Sequence, residues 1–103
     1  MKLTIQIEPS FRYSVYYLLE NFAIDLAEFD YGTGIEHQQV LDSLQVTTER
    51  VITQDHASLY VNAIVQISGL DDQQAAAVAD SILAGAKLKY GEDKVTRVDG
   101  EAS

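Results

Sequence analysis

The chain has 103 residues, which suits one domain and is too short for two domains of ordinary size. It is 47% apolar and 22% charged, so its composition excludes a disordered or low-complexity protein. The absence of cysteine excludes a disulfide framework, a thiolate metal site and thiol chemistry. No apolar run is long enough to cross a membrane and no signal peptide is recognisable, so we expect a cytoplasmic protein.

Acidic residues outnumber basic ones by sixteen to seven, which gives a formal net charge of −9. The imbalance is concentrated in residues 13–86, where Arg50 is the only basic residue beside eleven acidic ones. A surface of this sign repels the phosphates of nucleic acids and of anionic lipids, so we expect no direct binding to either. It attracts a basic protein partner. The alternative interpretation is that the charge serves only solubility.

The first third of the chain predicts a strand followed by a helix. Polar and apolar residues alternate strictly from Lys2 to Glu8, which is typical of a strand with one buried face. Pro9 and Ser10 are expected to end the strand and begin the helix, which stops before Gly32. An apolar stripe at helical spacing is predicted to face the core, and its members are Phe11, Val15, Leu18, Phe22, Leu26 and Phe29.

The middle of the chain predicts a short helix and then a hairpin. Residues 36–44 form the short helix, and residues 46–53 and 57–68 form two strands. A polar connection of Gln54, Asp55 and His56 joins these strands. By alternation, one face of the second strand is shared by Leu59, Val61, Ala63, Val65 and Ile67.

The last third predicts a second long helix and a final short strand. Asp71 is expected to cap the helix, because Gln74 follows three residues later, and Gly91 is expected to end it. Residues 95–98 then form the last strand. Small and apolar side chains mark the packed face of this helix, namely Ala75, Val78, Ala79, Ile82, Leu83 and Ala86.

These elements predict the fold class α+β, as a ferredoxin-like βαββαβ sandwich with two helices on one face of an antiparallel sheet. The alternative is an α+β fold without the last strand. Residues 1–98 are predicted to form a single α+β domain, and residues 99–103 a polar C-terminal tail.

No motif of a catalytic or cofactor-binding family is present. The two histidines follow acids, as Glu36-His37 and Asp55-His56, but neighbouring residues rarely share a metal ion. We therefore predict no metal site, no cofactor and no catalytic residue. A small enzyme that uses Glu49, Asp55 or His56 as acid or base is the weakest of the hypotheses considered.

The first helix carries the candidate binding surface. At 100° per residue, aromatic and acidic side chains fall on the face away from the apolar stripe, where a helix lying on a sheet is normally polar. Tyrosines beside carboxylates suit a basic protein surface. The alternatives are that residues 31–44 fold over this face or that a symmetric dimer covers it. The predicted partner-binding residues are Tyr13, Tyr16, Tyr17, Glu20, Ile24 and Glu28.

Two functional hypotheses follow. The first is a non-enzymatic acidic protein-binding module that inhibits its partner by occupying a basic, nucleic-acid-binding site. Phage-encoded anti-defence proteins and DNA mimics share this composition, although no motif links the chain to any such family. The alternative is a homo-oligomeric domain, such as a homodimer, that binds a small ligand or has a regulatory role.

Overall fold

The computed structural model describes residues 1–53 and 58–98. The predicted hairpin connection and the predicted tail therefore lie outside the described residues, apart from the strand ends that flank them. In chain order the elements are β1 (Lys2–Ile7), α1 (Val15–Leu26), α2 (His37–Asp42), β2 (Leu44–Ile52), β3 (Leu59–Ile67), α3 (Asp72–Tyr90) and β4 (Val95–Arg97).

The four strands form one sheet in the order β2-β3-β1-β4, and every neighbouring pair is antiparallel. The predicted class, α+β, is therefore confirmed. The predicted element order βαββαβ is not matched, because α2 stands between α1 and β2 as a third helix among the described residues. The short helix that the sequence predicts within residues 36–44 is this additional element, and its Val40 is fully buried.

Both long helices cover the same face of the sheet. Leu3, Ile5 and Ile7 of β1 point into this layer and are fully buried, as the alternating pattern predicts. α1 lies over β2 and β3, where Thr48 Oγ1 donates a hydrogen bond of 3.0 Å to the carbonyl oxygen of Leu19. α3 lies over β1 and β4. The apolar core is thus a single layer between the sheet and the two helices.

The start of α1 differs from the prediction. Ser14 is the N-cap, and its Oγ accepts from the Tyr17 amide at 3.2 Å. Ser10 instead closes an earlier turn, in which its Oγ accepts from the Tyr13 amide at 3.2 Å. Phe11 lies in this turn and is fully exposed, so its predicted place in the core is wrong. Residues 8–14 form the connection between β1 in the sheet layer and α1 in the helix layer, so α1 begins only after them.

The end of α1 brings an aromatic ring against α3. α1 ends at Leu26, and Phe29 follows in a turn, where its side chain is buried. A Cβ atom added at Gly85 would lie 2.7 Å from two ring atoms of Phe29. Because such a contact is too close, glycine at this position allows the Phe29 ring to lie across α3.

The far end of the β2–β3 hairpin extends beyond the helix layer. Ile52 and Leu59 are opposite each other in the register and are 57% and 36% exposed. Leu59 shares one face of β3 with Val61, Ala63 and Val65, as predicted, but it lies beyond the helix layer and is exposed, whereas the other three are fully buried. Burial in this strand depends on whether a helix lies above the residue, which alternation alone does not indicate.

α3 begins and ends as predicted. The Asp71 side chain accepts from the Gln74 amide at 2.7 Å, and the Gln74 side chain accepts from the Asp71 amide at 3.3 Å. This pair is a complete capping box. Gly91 ends the helix with φ of 117°, a backbone conformation that favours glycine. No helix in residues 1–53 and 58–98 is long and apolar enough to span a membrane.

Replacing Asp71 with alanine is expected to lower the free energy of unfolding by about 1 kcal/mol, because the first turn of α3 loses its side-chain acceptor. Gln73→Ala is the matched control, since Gln73 is exposed in the same turn and takes no part in the capping box. Urea unfolding of both variants measures the difference, and equal stabilities would contradict the role assigned to Asp71.

Candidate functional site

A buried carboxylate lies between α1 and α3. Asp25, in the last turns of α1, is only 6% exposed. Its Oδ2 accepts hydrogen bonds from the Tyr17 hydroxyl at 2.9 Å and from the Tyr90 hydroxyl at 2.7 Å. The Lys89 ammonium is 3.9 Å from Oδ1, and its side chain is partly exposed. One α1 residue is thus held by donors from both helices, as a buried charge requires.

Tyrosine rings surround this carboxylate and join the two helices. The Tyr13 ring lies 5.1 Å from the Tyr17 ring and 5.0 Å from the Tyr90 ring, centroid to centroid. The Tyr13–Tyr90 pair has the edge-to-face geometry that aromatic rings prefer. The Lys89 ammonium lies 5.7 Å from the Tyr13 centroid, within cation–π range. We call Tyr13, Tyr17, Asp25, Lys89 and Tyr90 the tyrosine–aspartate cluster.

The cluster keeps its tyrosine hydroxyls protonated. Burial, together with the hydrogen bond to Asp25 and the charge of that carboxylate, raises the pKa of Tyr17 to about 12. The same causes, burial first, raise the pKa of Tyr90 well above its ordinary value. Both hydroxyls therefore remain hydrogen-bond donors to Asp25 at neutral pH and have no tendency to ionise there.

A groove opens beside the cluster, between the end of α1 and the middle of α3. Its cavity volume is about 620 Å³. The lining contains four acidic side chains, one basic side chain, and apolar or small residues. These lining residues are Asp25, Glu28, Phe29, Asp30, Asp80, Ser81, Ala84, Gly85, Leu88 and Lys89. We call this feature the acidic groove.

The acidic groove combines an apolar floor with an anionic rim. Phe29 is buried against Gly85 at its base, whereas Leu88 is 89% exposed at its side. The carboxylates of Glu28, Asp30 and Asp80 are exposed around it. Lys89 is the only basic residue in the lining, and Asp25 is already its ion-pair partner. The rim is therefore free to attract cationic groups from outside the molecule.

The structure separates the residues predicted to bind a partner. Tyr16, Glu20 and Ile24 are exposed on α1, with Tyr16 at 71% and Ile24 at 60%. Glu28 lies just beyond α1 and lines the acidic groove.

Tyr13 and Tyr17 are half-buried members of the tyrosine–aspartate cluster. Tyr13 also precedes α1, which begins only at Val15. Their partial burial comes from α3, since both rings are grouped with Tyr90. The segment predicted as an alternative cover, residues 31–44, contacts the other end of α1. There the Tyr31 hydroxyl donates to the Leu26 carbonyl oxygen at 2.8 Å.

Sequence reasoning missed Asp25 as a central residue, although a signal for it exists. Asp25 lies seven residues after Leu18 and three after Phe22, which places an acid on the apolar stripe of α1. An acid at such a position needs partners inside the fold. Tyr90, whose hydroxyl is the closest donor to Asp25, is 65 residues away, so sequence spacing could not indicate it.

The described residues hold no arrangement suited to a metal ion. No group of three or more His, Asp or Glu side chains that could ligate a metal occurs within residues 1–53 and 58–98. His37 Nε2 lies 2.9 Å from the carbonyl oxygen of Ala27, an interaction that joins α2 to the end of α1. His56 and Asp55, which the sequence also raised as candidates, lie outside the described residues.

No protein-family model, curated protein or solved structure matches this chain. The protein is therefore classified by its architecture alone, as an α+β protein with a four-stranded antiparallel sheet and an acidic groove between its two long helices.

Replacing Tyr90 with phenylalanine is expected to lower the free energy of unfolding by about 2 kcal/mol, because the buried Asp25 carboxylate loses its shortest hydrogen bond. Tyr16→Phe removes the same atom from an exposed ring and is expected to change stability by less than about 0.5 kcal/mol. Urea unfolding of the two variants compares them directly. Equal losses in the free energy of unfolding would show that the hydrogen bond from Tyr90 to Asp25 stabilises the fold no more than an exposed hydroxyl does.

The raised pKa of Tyr17 also predicts a dependence of stability on alkaline pH. Between the ordinary value of 10.0 and about 12, the unfolded chain loses this proton while the folded protein keeps it. The free energy of unfolding therefore falls as the pH rises through this window and is unaffected by this group below it. Denaturant unfolding at stepped pH measures the fall, and Tyr17→Phe should make it shallower. An unchanged slope in that variant would contradict the assignment.

Proposed function

We propose that the protein is a non-enzymatic module that binds a basic segment of a partner protein in the acidic groove. The observation that carries this proposal is the combination of an exposed leucine and a buried phenylalanine with three exposed carboxylates around one groove. Leu88 and Phe29 offer apolar contact, and Glu28, Asp30 and Asp80 offer charge. A helical segment that carries lysine or arginine on both sides of an apolar stripe complements both features.

The charge of the described surface supports a protein partner over a nucleic acid. Phosphate groups would meet Glu28, Asp30 and Asp80 at the groove, and the chain as a whole carries a net charge of −9. A basic partner gains both local pairing and faster encounter from the same field. We extend the proposal to partners whose basic surface otherwise holds nucleic-acid phosphates, which this protein would inhibit by occupation.

The exposed residues of α1 extend the proposed surface beyond the groove. Ile24 precedes Glu28 by four residues, so the two lie on one ridge of the helix and its following turn. Tyr16 and Glu20 continue this ridge toward the start of α1, and both are exposed. An exposed tyrosine and isoleucine beside a charged rim are the composition typical of protein interfaces.

We also propose that the architecture is a variant of the ferredoxin-like sandwich into which α2 is inserted. Three observations support this: β1 and β3 are the central strands, all neighbouring strands are antiparallel, and α1 and α3 cover one face. The insertion packs at the end of α1 through His37, next to the turn that brings Phe29 and Asp30 to the groove.

Binding of a defined basic peptide tests the proposed function. The probe is a labelled helical peptide of about 14 residues that carries lysines on both sides of a leucine stripe. The triple variant Glu28→Gln, Asp30→Asn, Asp80→Asn is expected to weaken binding about tenfold, measured by fluorescence anisotropy. Leu88→Ala is expected to weaken binding while leaving stability unchanged, because its side chain is exposed.

The matched control neutralises three carboxylates outside both the groove and the open sheet face, through Glu36→Gln, Asp42→Asn and Glu92→Gln. These residues are exposed and do not line the groove, and the net charge changes equally. The control should lose much less affinity than the groove variant. Equal losses would assign the binding to overall charge, and a glutamate-substituted peptide or a DNA duplex that binds as tightly would refute the proposal.

A further inference from the structure

The face of the sheet opposite the helices has no covering element among the described residues. We call it the open face. β1, β2, β3 and β4 all contribute side chains to it, because these residues alternate with those of the core. Its members include Lys2, Thr4, Glu49, Asn62, Ile64 and Gln66.

The open face is electrically balanced in a strongly acidic protein. It carries one basic residue, Lys2, and one acidic residue, Glu49, whereas the chain as a whole has a net charge of −9. Both side chains are exposed, and neither forms an ion pair within the part of the chain that the structure describes. Two copies of this protein therefore repel each other least where their open faces meet.

The strand register gives the two charges a symmetric placement. Lys2 is opposite Gln66, Thr4 is opposite Ile64, and Glu49 is opposite Asn62. Lys2 therefore lies on the neighbouring strand β1, two residues from Ile64 toward the C-terminal end of β3. Glu49 lies on the other neighbouring strand, β2, two residues from Ile64 toward the N-terminal end of β3. From strand spacing and rise, the Cα atoms of Lys2 and Glu49 each lie roughly 8 Å from the Cα atom of Ile64, on a line that passes through it.

This placement satisfies the requirement for a self-complementary surface. A two-fold axis can lie between two facing open faces, pass over Ile64 and run perpendicular to the line that joins Lys2 and Glu49. Rotation about this axis exchanges the positions of the two charges. It places Lys2 of each copy over Glu49 of the other and Ile64 against Ile64. An isologous interface requires this kind of exchange, since each patch has to complement itself.

We propose that two copies of the protein associate through their open faces, with Ile64 at the two-fold axis and two reciprocal Lys2–Glu49 ion pairs. The acidic groove lies on the opposite side of the molecule and remains accessible in this dimer.

Charge reversal tests the dimer through sedimentation equilibrium. The unaltered protein is expected to show a monomer–dimer equilibrium at micromolar concentrations. Lys2→Glu and Glu49→Lys each place like charges opposite each other twice, and each is expected to weaken dimerisation at least about tenfold. An equal mixture of the two variants should associate again, because the mixed dimer contains both opposite-charge pairs.

Arg12→Glu and Glu36→Lys are the matched controls, since they change the net charge equally at exposed positions outside the open face. Both should dimerise like the unaltered protein. A protein that stays monomeric up to about 200 µM would overturn the proposal. A dimer that is indifferent to reversal at Lys2 and Glu49, or a mixture that stays monomeric, would overturn it as well. Peptide binding in the acidic groove is measured separately, so failure of either proposal is distinguishable.

Discussion

The arrangement of the two long helices depends on one buried carboxylate. Asp25 of α1 is nearly inaccessible to solvent, and a charge in that position is unfavourable unless donors surround it. Tyr17 supplies one donor from the same helix, and Tyr90 supplies another from α3, with Lys89 nearby. The requirement to satisfy this carboxylate therefore ties α1 to α3 at one particular crossing. The acidic groove lies directly beside that crossing, so its shape follows from the same constraint.

The two faces of the molecule differ in charge because they differ in structure. The helix side carries the exposed acids of α1, α3 and their flanking turns, and apolar residues such as Leu88 stand among them. The sheet side consists mainly of uncharged polar residues with a single opposite pair, Lys2 and Glu49. The two partners that we propose, a basic segment and a second copy of the protein, therefore correspond to different faces. Occupation of one face would leave the other accessible, so the two proposed associations are compatible in one molecule.

The sequence predicted the elements whose local pattern decides them. Strict alternation in Lys2–Glu8 indicated β1, and the Asp71–Gln74 pair indicated the start of α3, since both signals act within a few residues. The start of α1 was predicted wrongly, because Ser10 and Ser14 can both cap a helix. The length of the connection between the sheet layer and the helix layer places the N-cap at Ser14, and the local sequence does not show this length. The exposure of Tyr16, Glu20, Ile24 and Glu28 was predicted from helical spacing. The role of Asp25 was not, since its decisive partner belongs to a helix far along the chain.

By itself, the sequence determined the α+β class, the strongly acidic surface and the absence of cysteine chemistry, because composition and short-range periodicity are properties of the chain alone. Only the tertiary structure decided that Tyr13 and Tyr17 join α1 to α3, that Glu28, Asp30 and Asp80 surround one groove, and that Lys2 and Glu49 flank Ile64. The physical reason is that these groupings arise from packing and strand register between distant segments. Such contacts form only when the whole chain is folded, and no local pattern specifies them.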